Sequence, residues 1–240
     1  MNDHGTIEEN TPLAPSVFRM RLSGDIGENR PGQFVNVSVP GLFLRRPISV
    51  CCAEGDKLTL IYKAVGRGTE RMSAMRKGET LDVLTGLGNG YDLSAPCSRP
   101  VLIGGGVGVP PLYYLAKELV SLGREVSVVL GFNKASEIFY EEEFKALGAS
   151  VAVTTADGSY GIKGFVTDAL PENADYFYAC GPLPMLKALF GTASIPGEMS
   201  FEERMGCGFG ACMGCSMLTK SGAKRVCKDG PVFKKEELLW

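Results

Sequence analysis

Histidine is nearly absent from this chain: His4 is the only one. That scarcity excludes Ser-His-Asp and Cys-His centres and histidine-built zinc catalysis, so any redox or transfer chemistry has to come from bound cofactors. An excess of either charge is missing as well. With 25 Lys and Arg against 27 Asp and Glu, no basic stripe is available to draw nucleic acid or an anionic membrane. No apolar run reaches the roughly 18 residues that would span a bilayer. Met1 to Asn10 is polar and acidic, without the apolar core of a secretory leader, and His4 is expected in this polar tail. The expectation is a soluble, cytoplasmic protein whose thiols stay reduced. Its 240 residues allow one or two domains with ample core.

Cysteine, by contrast, is concentrated. Cys207, Cys212, Cys215 and Cys227 are spaced C-x4-C-x2-C-x11-C, with small residues at Gly206, Gly208, Gly210, Ala211 and Gly214. The opening C-x4-C-x2-C matches the run that holds a plant-type [2Fe-2S] cluster, where the backbone must wrap a compact inorganic core. A structural zinc site is the alternative, although zinc knuckles usually use two C-x2-C pairs and only one is present. The fourth cysteine comes sooner than in plant-type ferredoxins, so the module is a relative of that domain and not a copy. Cys51 and Cys52 fall in a predicted strand and are expected to pack; Cys97 is expected to be a free thiol.

Along the chain the pattern changes once. Up to Ser98 it reads as short strands, Val17 to Leu22, Gln33 to Val39, Ile48 to Cys52, Leu58 to Ala64 and Thr80 to Leu84, with one short helix between Met72 and Lys77 and a linker from Gly86 to Pro100. Such spacing predicts an antiparallel β-barrel. After Arg99, strands Val101 to Ile103, Val126 to Leu130, Ser150 to Thr155 and Tyr176 to Ala179 alternate with helical stretches Leu112 to Leu122, Glu141 to Leu147 and Met185 to Phe190. Alternation of that kind predicts a doubly wound parallel α/β sheet. The expected division is 1–98, 99–198 and 199–240, the last a small cysteine module.

Three further stretches carry ligand signals. Gly104-Gly105-Gly106-Val107-Gly108 lies between a strand and a helix, where backbone amides can meet a pyrophosphate, although such a turn can be merely tight. Cys180-Gly181-Pro182 ends another strand, the edge at which open α/β sheets bind ligands; a buried cysteine followed by helix-starting prolines is the plainer account. In the first domain, Arg46-Pro47-Ile48-Ser49 places a guanidinium and a hydroxyl at a strand entry, and Ile61-Tyr62-Lys63 and Gly68-Thr69 add an aromatic, a cation and permissive backbone. Singly, each is more often structural than functional.

Together the R-P-x-S barrel, the G-G-G-x-G-x-x-P turn, the C-G-P-x-P-M strand end and the four-cysteine module resemble the ferredoxin-NADP reductase superfamily. Within it they are most similar to the electron-transfer subunits of NAD-dependent dihydroorotate dehydrogenases of pyrimidine (UMP) biosynthesis, above all over Glu202 to Cys207 and Arg225 to Phe233. The resemblance implies that Arg46, Pro47, Ile48 and Ser49 hold FAD, with Ile61, Tyr62 and Lys63 beside the flavin and Gly68 and Thr69 at its diphosphate. It implies that Gly104, Gly105, Gly106, Gly108, Asp157, Gly158, Ser159, Cys180, Gly181 and Pro182 face NAD, and that Cys207, Cys212, Cys215 and Cys227 ligate [2Fe-2S]. No side-chain acid or base is demanded. The implied partner is an FMN-containing dihydroorotate dehydrogenase catalytic subunit, in a heterotetramer of two of each. Other NAD(P)H-linked reductase subunits, of hydrogenase, ferredoxin or glutamate synthase type, share the four-cysteine pattern and remain the alternative. From a different class, a regulatory nucleotide-binding module with structural zinc would be colourless. The last residues, Lys234 to Trp240, fit docking either on a partner or on the chain itself.

Overall fold

The protein is described by a computed structural model covering residues 3–240; Met1 and Asn2 lie outside the described residues. Its first half is a closed barrel. The strands are β1 (Asp3–Ala14), β2 (Val17–Gly24), β3 (Phe34–Val37), β4 (Arg46–Glu54), β5 (Lys57–Lys63) and, after helix α1 (Arg67–Ala74), β6 (Thr80–Leu87). They run in the order β1-β2-β5-β4-β3-β6, and β6 closes antiparallel onto β1. Alternation decides the faces: Leu58, Leu60 and Tyr62 of β5 point into the barrel with Met20, Leu22, Val35, Val37 and Val50, while Ile61 points out. Burying each such side chain contributes about 1.5–3 kcal/mol.

The barrel contains one strand that the sequence pattern does not announce. Gly5 and Thr6, which with His4 belong to the stretch expected as a polar tail, pair with β2 on one side and, together with His4, with β6 on the other. Ile7 is a lone inward apolar residue in this stretch, and register shifts at Ile7/Glu9 and Pro12/Ala14 break the two-residue period by which strands are recognised. Helix α1 begins five residues earlier than expected because the Thr69 hydroxyl accepts the N–H groups of Val65 and Gly66 (3.0 and 3.3 Å).

The second half builds a sheet from β7 (Pro100–Gly105), β8 (Ser127–Phe132), β9 (Ser150–Thr155), β10 (Ile162–Lys163), β11 (Tyr176–Cys180), β12 (Gly197–Ser200) and the late β15 (Val232–Lys234). Helices α2 (Pro110–Ser121), α3 (Glu141–Ala146) and α4 (Leu183–Thr192) connect them, and β13 (Ser216–Thr219) with β14 (Gly222–Arg225) forms a separate hairpin. The order is β10-β9-β8-β7-β11-β12-β15, parallel except for β15. Leu102, Val128, Leu130 and Tyr178 face α2, whereas Val101, Ile103, Val129 and Phe177 face α4, which is what winding on both sides requires. Helix α2 also covers the outer face of β4, burying Cys51 and fixing barrel to sheet.

Cysteine-module residues do not stand apart from this sheet. β15 adds to β12, so the division placed between 198 and 199 falls inside a strand, and Val226, Phe233 and Leu238 share one core with Ile103 and Phe177. Trp240 packs on its own chain, with ring centroids 5.5 Å from both Phe190 and Phe201. Among the described residues no helix is long and apolar enough to cross a membrane.

Candidate functional site

The chain steps outward from β7 through β8 and β9 to β10, then returns to the other side of β7 as β11. That reversal leaves a crevice at the strand ends, the place where doubly wound sheets bind nucleotides. A cavity of about 720 Å³ opens there, walled by Gly105, Gly106 and Gly108 of the turn, Gly181 and Pro182 after β11, and Lys63 and Val17 from the barrel. The turn has to be glycine for close approach. A Cβ on Gly108 would lie 2.2 Å from the Cys180 carbonyl oxygen, and Gly106 sits at φ +51°. Pro110 and Pro111 then start α2, where a missing N–H costs nothing.

Not every expected residue reaches the cavity. The Cys180 side chain is buried and its thiol is pushed up to about 12, chiefly by burial, so it packs rather than reacts. Asp157 and Ser159 are exposed: the Asp157 carboxylate accepts the Ser159 N–H and hydroxyl (2.9 and 2.6 Å), and the Ser159 hydroxyl accepts the Ala135 N–H, tying the end of β9 to that of β8. Of that loop it is the neighbouring Ala156 that lines the cavity. Tyr62 turns into the barrel, its hydroxyl donating to Asn10 (2.9 Å), and Ile61 is buried in the core shared by barrel and sheet, leaving Lys63 as the member of the trio on the cavity wall. Asn133, Glu137 and Glu202 also line it, and partial desolvation by the cavity wall raises the Glu202 carboxyl above its ordinary range. The first two follow the end of β8, a location that the strand-end rule points to; Glu202 gave no sequence signal beyond its place in the family stretch.

On the barrel, Arg46, Pro47, Ile48 and Ser49 are half-buried at the start of a strand whose next three residues are fully covered. The Arg46 guanidinium lies across the first turn of α1, so close to Gly68 that a Cβ there would sit 2.0 Å from its Nε. A guanidinium over a helix N-terminus is a seat for a diphosphate, and Gly68 is what leaves room for it. This fits FAD.

The cysteine loop turns through left-handed backbone at Gly208, Gly210 and Met213. Its thiols come as two pairs. Cys207 Sγ accepts the N–H groups of Ala211 (3.2 Å) and Cys212 (3.5 Å), and Cys215 Sγ accepts that of Cys227 (3.4 Å). Arg225 braces the loop from β14, donating to Gly210 O (3.0 Å) while paired with Asp229 (3.0 Å). Among the described residues no three His, Cys, Asp or Glu side chains gather about one ion position. Four thiols in two pairs, wrapped by small residues with N–H groups turned on sulfur, fit a two-iron core.

Comparison with known proteins agrees with this architecture. Residues 202–239 match the family model described as the iron-sulfur cluster binding domain of dihydroorotate dehydrogenase B, and residues 102–190 match the oxidoreductase NAD-binding domain. A solved structure reported as an NADH-dependent reduced ferredoxin-NADP oxidoreductase is 32% identical, with a TM-score of 0.90 over 98% of this chain and 90% of that one. Phthalate dioxygenase reductase shares the fold at 17% identity, TM-score 0.68, over 79% of this chain and 63% of its own. Curated relatives are nearer in sequence. The dihydroorotate dehydrogenase B (NAD(+)) electron transfer subunit of Geobacillus sp. (strain WCH70) is 47% identical over 98% of this chain and 97% of its own. That of Fusobacterium nucleatum is 45% identical over 95% of each. The zinc-module and other-reductase alternatives give way to this finding, because such identity spans barrel, sheet and cysteine loop alike. The chain belongs to the family of dihydroorotate dehydrogenase B (NAD(+)) electron transfer subunits.

Proposed function

We propose that this protein is the electron-transfer subunit of an NAD-linked dihydroorotate dehydrogenase, working with a separate FMN-containing catalytic subunit as two copies of each in pyrimidine biosynthesis. The observation that carries the reading is the cavity at the sheet's reversal point, because barrel residues Val17 and Lys63 wall it together with the turn from Gly105 to Gly108. A nicotinamide held by the sheet therefore meets whatever the barrel holds. Arg46, with the first turn of α1, would seat the FAD diphosphate, and Ser49 would offer the flavin a hydroxyl; Cys207, Cys212, Cys215 and Cys227 would hold [2Fe-2S]. Bound there, FAD would convert between the two-electron hydride of NAD and the one-electron steps of the cluster.

The chain's own residues bind, align and exclude water. The backbone from Gly105 to Gly108 takes the NAD diphosphate, Pro182 and Met185 pack beside Gly105 and continue that wall, and Lys63 presents a cation from the barrel side. Hydride transfer needs mainly this proximity and alignment. Anaerobic co-purification from the source cell, with FMN, FAD, iron and sulfide analysis, tests the reading. Recovery of an FMN subunit that reduces NAD+ with dihydroorotate only when this chain is present is expected; recovery of hydrogenase or glutamate synthase components would overturn it.

A further inference from the structure

Strand β3 is Phe34-Val35-Asn36-Val37, four buried residues of which one is an amide. A buried amide costs stability unless it is bonded, so its place among apolar neighbours asks for a reason. Asn36 bonds across 171 residues of sequence: Nδ2 donates to the carbonyl of Cys207 at 3.1 Å. Among the described residues its Oδ1 has no partner, so the amide is not there to satisfy the barrel. The next residue of the cysteine loop is fitted to it. A Cβ on Gly208 would lie 2.4 Å from Asn36 Nδ2, and Gly208 takes φ +81°.

The other side of Asn36 meets the proposed flavin strand. In the β3–β4 register Asn36 opposes Pro47 and Val37 opposes Arg46. The Asn36 carbonyl accepts Arg45 Nη1 at 3.2 Å, and Arg45 is clamped to the Asp82 carboxylate at 3.0 and 2.6 Å. The backbone of Asn36 is thus held by the strand that begins Arg46-Pro47-Ile48-Ser49, while its side chain holds the first thiol residue of the cluster loop.

We infer that Asn36 is a positioning residue for electron transfer, fixing the Cys207 end of the cluster loop at a set distance from the flavin strand. The inference rests on the proposed function, and takes from it the FAD and [2Fe-2S] assignments. It touches neither reacting centre and acts through Cys207. One-electron transfer between two bound groups depends on their separation, and this bond spans the two units without a flexible linker.

The test uses the full chain with both cofactors, made anaerobically as wild type, Asn36→Ala and Asn36→Asp. Asp keeps the shape but loses the N–H that meets the Cys207 carbonyl. Stopped-flow absorbance separates flavin reduction by NADH from the later reduction of the cluster, and electron paramagnetic resonance reads the reduced cluster. The expected result is that flavin reduction is unchanged while cluster reduction slows on the order of tenfold or more, the sensitivity that a misplacement of about 1 Å brings to positioned groups. The cluster signal should also shift or broaden in both variants. Gly208→Ala is expected to reproduce the defect, and Asn36→Ala/Gly208→Ala to be less than additive. If Asn36→Ala does not fold, Asn36→Asp carries the same readings. Cluster reduction at the wild-type rate, with an unaltered signal, in a variant holding both cofactors overturns the inference alone. A wild type lacking flavin or acid-labile sulfide overturns the proposed function instead, and this inference with it.

Discussion

A thiol binds metal as thiolate, and Cys207 is held ready to do so. Burial by itself would raise its pKa, but the N–H groups of Cys212, Phe209 and Ala211 outweigh burial and bring it down to about 6. Cys227 is the opposite case, pushed up to about 12 by burial and by the neighbouring Cys215, so it needs the metal to lose its proton. Replacing Cys207 or Cys227 by Ser should remove iron, sulfide and the red-brown absorption, whereas Cys97→Ser, at a buried free thiol of the linker, should leave all three. Iron and sulfide analysis of the purified variants checks this. A second residue-scale prediction concerns Glu198, a buried carboxyl of β12 raised to about 7, mainly by burial, although it accepts the Asp92 N–H at 3.0 Å. Because its folded pKa lies above its ordinary 4.5, its favourable contribution is complete below that value and is lost as pH rises through about 7. Wild-type Tm should therefore fall between about pH 5 and 8. Glu198→Gln should flatten that fall and melt higher at the alkaline end; an unchanged slope in calorimetry would sink the idea. The four-cysteine stretch, which the family model covers, was legible because its spacing is itself the signal. Asn36 and Glu202 were not, since what makes them notable is a neighbour far along the chain.

Elements were legible where period and burial coincide. β5 alternates from Lys57 to Leu60 before Ile61 is buried as well, and β7, β8 and β11 are short apolar runs, so the barrel and the parallel sheet both followed from pattern. β1 escaped because its bulges break the period, and β15 because three residues, Val232 to Lys234, carry no period at all; only pairing with β12 makes them a strand. The glycine turn lies between these cases, since its sequence marks a tight turn and the structure supplies the reason. Gly108 faces backbone rather than a movable side chain, with the Cys180 carbonyl 2.2 Å from where an added methyl would sit. Gly108→Ala should thus push β7 from β11 at the reversal point, destabilising by about 1–3 kcal/mol. NADH affinity should weaken by about tenfold, the equivalent of 1.4 kcal/mol, with flavin and cluster content retained. Titration of the purified variant with NADH decides; undiminished affinity would mean that NAD binds elsewhere.

At the scale of the whole molecule, one part of the cluster segment packs into the core of the sheet and another part stays largely exposed. Val226, Phe233 and Leu238 share a core with Ile103, Val129 and Phe177, and the Trp240 ring rests on Phe190 and Phe201. The β13–β14 hairpin, in contrast, is a two-stranded sheet of its own, largely exposed, joined to the C-terminal stretch through Thr219 and Leu238. Such a hairpin is marginal in isolation. Metal ligation couples to folding, so removing the cluster should loosen the chain where thiols alone set the backbone and spare it where side chains pack. Cluster-stripped protein is therefore expected to be cut by trypsin after Arg204, Lys220 and Lys224, while amides of β7, β8 and β11 keep their protection from hydrogen exchange. The loaded protein should resist at the same sites. Loss of protection across the parallel sheet would mean instead that the cluster holds the entire second half together, and that β15 joins the sheet only when the thiols are ligated.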